Sequence, residues 1–190
     1  MIKEFNTYLR AIDADFWKRL IFEHGTLKTF AKGDHFVAEG CVAREIGLIR
    51  KGSCKYVAYT ANGDERIVGL ETVDGFAASW PFCLHGMPSP VSIVANSDSE
   101  IHCLPVAKFK ELMESDKEVE RMAAHATEQI FYTIYERQIG FYTQTPKDRY
   151  DSLLEKCPRI FEAFDLKDIA SFLNITPQHL SRLKKADSTR

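Results

Sequence analysis

The spacing of hydrophobic positions along the chain changes twice. Near the N-terminus, apolar residues recur three or four positions apart and predict an amphipathic helix that ends near Glu23. These apolar residues are Phe5, Leu9, Ile12, Phe16 and Leu20. Between residues 25 and 104, apolar residues occur instead in short or alternating runs separated by glycines. The Asn62–Gly63 pair lies between two such runs and is typical of a tight β-hairpin. This region is therefore predicted to be a small antiparallel sandwich or barrel.

Helical spacing returns after Pro105. Residues 106–115 predict a short helix, and residues 116–142, with no proline and a single glycine, predict a much longer one. The long helix carries a stripe at spacings of three and four, widened at its end by Phe141: Val119, Met122, Ala123, Ala126, Ile130, Thr133, Ile134 and Arg137. Such a stripe either packs on its own domain or pairs with a twin helix, and the pattern alone leaves both open.

The segment "DLKDIASFLNITPQHLSRLKK", residues 165–185, predicts two short helices that meet near Asn174. Their apolar anchors are Ile169 and Leu173 in the first and Leu180 and Leu183 in the second. Asparagine tolerates the left-handed backbone conformation that such a turn requires. Thr176 is a good N-cap and Pro177 suits the first helical position. This arrangement predicts a helix-turn-helix.

The second helix of this pair leaves a polar and basic surface that suits DNA. The candidate DNA-binding residues are Thr176, Gln178, His179, Ser181, Arg182, Lys184 and Lys185. Gln178 and Arg182 are predicted to contact base edges, and Ser181, Lys184 and Lys185 to contact phosphates. The alternative is a helical hairpin with a solvated polar face.

Composition is ordinary for a globular protein, with 45% hydrophobic residues among 190 and a net charge of -2. The segment from Gln178 to the C-terminus carries four basic residues and one acid, so its +3 leaves -5 on the rest of the chain. The first 20 residues contain charges throughout, and no apolar run approaches the roughly 20 residues that span a bilayer. We therefore expect a cytoplasmic protein without membrane contact.

Cysteine spacing and catalytic motifs argue against a metal site and against an enzyme. The five cysteines are scattered, and none forms a C-x-x-C pair. The sequence shows no nucleophile–base pairing, no paired carboxylates in a motif and no phosphate-binding loop. We therefore expect no catalytic residue, no metal and no cofactor.

The whole chain resembles the Crp/Fnr superfamily of bacterial transcription regulators. Residues 149–185 are similar to the C-terminal segment of Bacteroidetes-type members, and residues 32–65 look like the glycine-punctuated strands of a cyclic-nucleotide-binding-type jelly roll. The resemblance implies an α+β fold with a β-domain over 1–115, a long dimerisation helix over 116–142 and a helix-turn-helix domain over 143–190. It further implies a homodimer, a pseudo-palindromic double-stranded DNA operator and RNA polymerase as a partner.

Residues that hold cyclic AMP in this superfamily are missing at the matching positions. Family members use a Gly-Glu pair and an Arg followed by Ser or Thr around the phosphate. Here these positions fall at Ala78 and Ser79 and at Ser89 and Pro90, and the base-contacting positions of the long helix fall at Ile134 and Tyr135. Without the cation and the acid, we expect no tight binding of cyclic AMP or cyclic GMP. The pocket is either filled by Trp80, Phe82 and Met87 or accepts an unknown, more apolar effector.

A second departure concerns the connector of residues 157–166, which is too short for the β-wing of the family. An iron–sulfur sensor is also disfavoured, because no cysteine precedes Cys41.

The function that these observations predict is a homodimeric, sequence-specific DNA-binding transcription regulator. The alternative is a small-molecule-binding β-domain protein whose C-terminal helix pair is a protein-interaction surface.

Overall fold

Eight antiparallel strands follow a first helix in the computed structural model, which describes residues 12–187. Helix α1, Ala14–His24, begins at Asp13, whose carboxylate accepts a hydrogen bond from the Phe16 N–H at 2.9 Å. Phe5 and Leu9 of the predicted N-terminal helix lie outside the described residues. The strands are β1 Thr26–Phe30, β2 His35–Val37, β3 Glu45–Lys51, β4 Cys54–Tyr59, β5 Glu65–Glu71, β6 Phe76–Ala77, β7 Ser92–Ala95 and β8 Ser99–Pro105.

The strands form two four-stranded sheets, in the orders β1-β8-β3-β6 and β2-β7-β4-β5. The hairpin predicted at Asn62–Gly63 is confirmed, because β4 pairs with β5 and Gly63 has a φ of +83°. A short 3-10 turn, Phe82–His85, lies between β6 and β7. The α+β fold with an antiparallel β-sandwich is confirmed.

Two glycine turns of the sandwich differ in the free space around them, and we expect alanine substitutions there to differ in their cost to stability. Gly52 and Gly63 both have positive φ, at +86° and +83°. A Cβ at Gly52 would collide with the Ser99 hydroxyl and lie 2.7 Å from the Asp98 carbonyl oxygen, whereas one at Gly63 would meet nothing within 4 Å. We expect Gly63→Ala to cost about 1–2 kcal/mol from backbone strain and Gly52→Ala about 1–3 kcal/mol more from the clash.

The measurement is urea unfolding of both variants beside the wild type. Equal losses of unfolding free energy at the two positions would show that the crowding at Gly52 relaxes at no cost.

The main core lies between the two sheets and extends beneath α1. Fully buried residues from both sheets meet there: Leu48, Ile49, Ile93, Ile101 and Leu104. Ile21 of α1 is also fully buried, and Trp17 stands edge-on to Phe16, Phe76 and Trp80 at centroid distances of 5.7, 6.3 and 6.2 Å. Aromatic burial on this scale is a large stabilising contribution in a sandwich of short strands.

The remaining helices follow β8. They are α2 Val106–Ser115, α3 Lys117–Thr143, α4 Pro146–Lys156, α5 Ile160–Ala163, α6 Leu166–Phe172 and α7 Pro177–Asp187. The 27-residue helix α3 begins at Asp116, whose carboxylate accepts a hydrogen bond from the Glu118 N–H at 2.8 Å. Helix α4 begins with a reciprocal capping box between Thr145 and Asp148 and has Pro146 in its first turn. These caps explain why the chain turns sharply between α3 and α4.

The stripe predicted as the dimer face of α3 packs on its own subunit. Val119, Ala123 and Ala126 are buried in the main core, and Met122 and Ile130 pack against that core. The prediction that Val119, Ala123 and Ala126 face a twin helix is therefore wrong. Small side chains let α3 approach the sandwich closely, so the stripe is used within the chain. Thr133 and Arg137 continue this inward face as half-buried residues, whereas Ile134 is exposed.

Local geometry of the final helix pair agrees with the helix-turn-helix expectation. Asn174 has a φ of +55°, and α7 begins at Pro177. The Thr176 hydroxyl accepts a hydrogen bond from the His179 N–H at 3.2 Å, as expected of an N-cap. Ile169 and Leu180 are fully buried where α6 and α7 pack together. Between residues 106 and 187 the structure has no strand, in agreement with the expected lack of a β-wing.

The helix pair is held against the second sheet rather than hanging from a linker. A second core joins Val57, Ile67, Leu70 and Val94 of the sheet to buried residues of α4–α7. The Lys55 ammonium lies 3.0 Å from the Asp168 carboxylate of α6, and both side chains are mostly buried. The N–H of Ile67 donates to the hydroxyl of Ser171 at 2.9 Å. The position of α6 relative to β4 and β5 is therefore specified by charge and by hydrogen bonding as well as by apolar contact.

Candidate functional site

One face of α7 carries polar and basic side chains that point away from the protein. Gln178, Ser181, Arg182 and Lys185 are exposed and recur at spacings of three, one and three, so they share one side of the helix. Thr176, at the start of the helix, is also exposed. Leu180 is buried on the opposite side and fixes the rotation of the helix about its axis. This face presents an amide, a hydroxyl and two cations to the exterior.

Two of the seven candidate DNA-binding residues have other surroundings. His179 is half-buried, unlike its neighbour Gln178. The Lys184 ammonium lies 4.1 Å from the ring centroid of Phe161, in a cation–π contact with α5. Lys184 therefore points toward α5, and the outward face of α7 contains fewer residues than the sequence indicates.

A cavity of about 320 Å³ lies between the β-sandwich and the inner face of α3. Its walls are mainly aromatic and aliphatic, with contributions from Trp17, Ile46, Phe76, Trp80, Phe82 and Ile130. Five of the seven predicted pocket residues line it: Ala78, Ser79, Trp80, Pro90 and Ile134. The cavity opens to the surface beside Val68 and Ile134, both of which are exposed. Trp80 and Phe82 line this space, and they leave it open.

Three residues named from the sequence do not reach the cavity. Ser89 is buried behind its wall, where its hydroxyl accepts a hydrogen bond from Ser79 at 2.8 Å. Tyr135 is half exposed on the outer side of α3, because one residue along a helix turns the side chain by about 100°. Met87, expected to help fill the pocket, lies at the surface. These three assignments are therefore wrong.

Hydroxyl groups in the cavity wall already bind the protein itself. The Tyr56 hydroxyl donates to the Phe76 carbonyl oxygen at 2.9 Å and accepts from the Ala78 N–H at 3.1 Å. Burial raises the pKa of Tyr56 well above its ordinary value, so the hydroxyl stays protonated. The Ser89 hydroxyl donates onward to the Val91 carbonyl oxygen at 2.6 Å. These bonds hold β6 to β4 and to the start of β7.

Two charged residues that sequence reasoning did not place in the effector site line this cavity together. Glu71 comes from the end of β5 and is buried, and Arg137 comes from α3. Burial lowers the pKa of the Arg137 guanidinium, and the negative charge of Glu71 acts in the opposite direction. The cavity therefore contains an acid and a base, although both are absent from the positions that the family resemblance indicated. The sequence pattern places Arg137 in the predicted dimer stripe and gives no sign that its charge reaches the pocket.

Arg137 also touches the helix-turn-helix. Its guanidinium carbon lies 4.9 Å from the ring centroid of Phe172, at the end of α6. Arg137 and Phe172 both line a second cavity of about 370 Å³ between α3, α4 and α6. There Arg149 donates hydrogen bonds to the Leu173 and Gln144 carbonyl oxygens at 3.2 and 2.7 Å. One side chain thus joins the apolar cavity to the helices that carry the exposed polar face.

Metal chemistry finds no support in residues 12–187. No group of three His, Cys, Asp or Glu side chains within this range is placed to hold a metal ion. Cys54, Cys83, Cys103 and Cys157 are buried, and burial raises the pKa of Cys54 and Cys103 to about 12. No helix in the described part of the chain is long and apolar enough to cross a membrane.

The β-sandwich matches a known protein family in sequence. Residues 27–116, from the second residue of β1 to the N-cap residue of α3, match the sequence profile of the family described as "Cyclic nucleotide-binding domain". This part of the chain is similar to cyclic nucleotide-binding domains. The cavity described above lies between this domain and α3.

Solved structures extend the likeness to the whole Crp/Fnr architecture. FixK2 from Bradyrhizobium japonicum has a TM-score of 0.77 and 15% identity, covering 87% of this chain and 85% of its own. The c-di-GMP responsive global regulator CLP from Xanthomonas campestris has a TM-score of 0.67 and 13% identity, covering 93% and 92%. The catabolite activator protein of Thermus thermophilus has a TM-score of 0.57 and 14% identity, covering 96% and 87%. The search of curated proteins by sequence found no match.

At these identities the structures share the Crp/Fnr fold with this chain, and the predicted resemblance is confirmed at that level. The polar groups of the cavity come from the residues described above. Glu71 and Arg137 supply its charges, and its hydroxyls are bonded internally.

Proposed function

We propose that this protein is a homodimeric transcription regulator that binds DNA through α7 and carries an effector cavity unsuited to cyclic AMP. The observation that carries the proposal is the outward face of α7. Gln178 and Arg182 have the bidentate groups that contact base edges in a major groove, and Lys185 and Ser181 suit phosphates. Their four side chains are exposed on one side of a helix whose opposite side is anchored by Leu180.

The exposed side of α3 supports the homodimer. The inner face of α3 is already buried, yet large apolar side chains also cover its exposed side. These exposed side chains are Phe131, Tyr132, Ile134, Tyr135, Ile139 and Tyr142. Phe131 and Tyr135 stack with ring centroids 5.6 Å apart, and Tyr142 is 84% exposed. An apolar surface of this size on one helix is typical of a protein interface. Pairing with a second α3 would cover it and would also close the cavity opening beside Ile134.

Two α7 helices in such a dimer would enter successive major grooves of a pseudo-palindromic site, about 34–36 Å apart. Because the described C-terminal residues include no β-wing, phosphate contacts come mainly from the helix-turn-helix itself. Arg137 offers a route by which the cavity acts on DNA binding, since it lines the cavity and lies over Phe172 of α6. RNA polymerase would be a further partner of such a regulator.

Salt dependence of DNA binding tests this proposal. With two or three cationic contacts per subunit, the logarithm of the binding constant should fall with the logarithm of the salt concentration at a slope of about -4 to -5. The slope is measured by fluorescence anisotropy, first on random duplex DNA and then on a site selected from a randomised library. A helix pair that serves only as a protein-interaction surface would give no binding in this titration and no enriched site.

A further inference from the structure

We infer that the second cavity, between α3, α4 and α6, binds a small molecule that carries a phosphate group. The inference goes beyond the proposed function, since it concerns a different cavity from the proposed effector site and does not depend on DNA binding. The volume of about 370 Å³ is within the range of small-molecule sites. The charge of the cavity wall identifies the class of ligand.

The cavity wall has an excess of positive charge. Three cations line it: Arg137 of α3, and Arg149 and Lys156 of α4. The one acid in the described lining is Glu136 of α3, so the wall carries +3 and -1, a net charge of +2. Within residues 12–187, none of these four side chains forms an ion pair. Burial lowers the pKa of Arg137 more than the charge of Glu71, in the other cavity, raises it.

Both arginines have hydrogen-bond donors available at this wall. Arg137 lies over the ring of Phe172, with its guanidinium carbon 4.9 Å from the ring centroid, and Arg149 lies over Phe141 at 5.5 Å. A guanidinium over an aromatic face keeps the N–H groups at its edge available for an oxyanion. In the described chain Arg137 donates no hydrogen bond, and Arg149 donates only from Nε and Nη1 to two backbone carbonyls. Two planar donor groups therefore stand at the wall with N–H groups to spare.

The number of cations favours a phosphate monoester over a ligand with one negative charge or none. A phosphate monoester carries about -1.5 to -2 at neutral pH and presents three acceptor oxygens. Its charge matches the net +2 of the wall, and each oxygen would have a cation available. A carboxylate would leave about half of the positive charge unbalanced. The rest of the molecule would contact the apolar side chains of Ile139, Leu153 and Leu173.

A free small molecule fits this wall better than the backbone of DNA does. Arg137, Arg149 and Lys156 are half-buried, whereas the residues of the outward face of α7 are exposed. A duplex is too wide to enter a recess between three helices, and a small phosphorylated compound is not. We therefore assign the cations of the second cavity to a small ligand and those of the outward face of α7 to DNA.

Phenyl phosphate is the first probe, measured by isothermal titration calorimetry on the full chain without DNA. We expect saturable binding of one molecule per subunit with a Kd below about 1 mM. Phenyl sulfate has the same ring and a similar tetrahedral group but one negative charge, so it should bind at least about tenfold more weakly. Benzyl alcohol, which has no charge, should give no saturable heat. Equal binding of the three compounds, or no saturation by phenyl phosphate, would overturn the inference.

Lys156→Gln tests the location of the site. Lys156 is half-buried, and in the described chain its ammonium makes no hydrogen bond or ion pair, so the substitution removes a cation of the wall without breaking such a contact. The affinity for phenyl phosphate should fall by about three- to tenfold. Lys110→Gln, the same change at an exposed position of α2, is the matched control and should leave the affinity unchanged. Equal losses in the two variants would mean that phenyl phosphate responds only to overall charge and has no site in this cavity.

Glu136→Gln provides a test that misfolding cannot imitate, because it should strengthen binding. The substitution removes the one acid of the described wall and raises the net charge from +2 to +3. The affinity for phenyl phosphate should rise by about two- to fivefold. Glu114→Gln, at an exposed position of α2, is the control and should change nothing. An affinity that Glu136→Gln leaves unchanged would place the probe away from α3 and contradict the assignment.

Competition with DNA separates the two sources of phosphate. Phenyl phosphate should bind with the same affinity when random duplex DNA is present in excess. Displacement of the probe by DNA would assign these cations to the DNA backbone and overturn the small-molecule site. A failure of DNA binding leaves the titration without DNA unaffected, so the two proposals are tested separately.

Discussion

Arg182→Ala should abolish most of the discrimination between the preferred operator and random duplex DNA. Arg182 is exposed at the centre of the outward face of α7, and an arginine that binds a base bidentately contributes about 1–3 kcal/mol of discrimination. A symmetric dimer uses this residue twice, so the expected loss on the operator is about 2–6 kcal/mol. The measurement is competition anisotropy with the selected site against random duplex at a fixed salt concentration.

Lys185→Ala is the matched control for Arg182→Ala. Lys185 lies one turn further along the same face and suits a phosphate contact. Its removal should weaken binding to all sequences similarly and reduce the salt slope by about one per subunit. If Arg182→Ala behaves in the same uniform way, Arg182 holds a phosphate and the base-reading role falls to other residues of α7.

Phe131→Glu should separate the dimer into monomers. Phe131 is 59% exposed on the outer side of α3, within the apolar surface that we propose as the dimer contact. In a symmetric helix pair, each introduced carboxylate would be buried near the partner interface without a cation, at a cost of several kcal/mol. We expect the dimer dissociation constant to rise by more than about 100-fold, measured by sedimentation. Operator affinity should fall with it, because a monomer binds only one half-site.

Leu27→Glu is the control for this charge. Leu27 is an exposed apolar residue of β1, on a different part of the surface from α3. It should change neither the oligomeric state nor operator affinity. Phe131→Glu protein that stays dimeric would place the subunit contact elsewhere.

The helix-turn-helix could be predicted from sequence because its determinants are local. The positive φ of Asn174, the cap at Thr176 and the helix start at Pro177 each depend on a few neighbouring residues. Hairpin formation at Asn62–Gly63 is predictable for the same reason. Such signals do not need knowledge of the rest of the fold.

The side of α3 that packs on the sandwich could not be predicted from sequence, because this helix has two apolar sides. Val119, Ala123 and Ala126 form one side, and the exposed aromatic residues around Phe131 and Tyr135 form the other. Periodicity shows that both exist and cannot say which one the sandwich covers. That choice depends on close approach to strands far away in the sequence, where small residues fit and aromatic residues do not.

The acid and base of the cavity were missed for a related reason. The family resemblance implies phosphate-binding residues in the segment between β6 and β7, whereas Glu71 comes from β5 and Arg137 from α3. A usable signal was present, since a lone arginine within an otherwise small and apolar stripe points toward a buried counter-charge or a ligand. The acid that lies near it, however, is identified only by the tertiary fold.

The second core joins the β-sandwich and helices α4–α7 into one packed unit. Helix α6 is fixed to the sheet by the Lys55–Asp168 ion pair, the Ser171–Ile67 hydrogen bond and shared apolar contacts. The outward face of α7 is already exposed. In the proposed dimer, the distance between the outward faces of the two α7 helices would then be set mainly by the subunit contact. One inserted base pair rotates a half-site by roughly 35°, which such a dimer would tolerate poorly. In the proposed dimer, an effector would therefore change DNA binding by changing the angle between the two subunits. The outward face of α7 would be exposed with or without the effector.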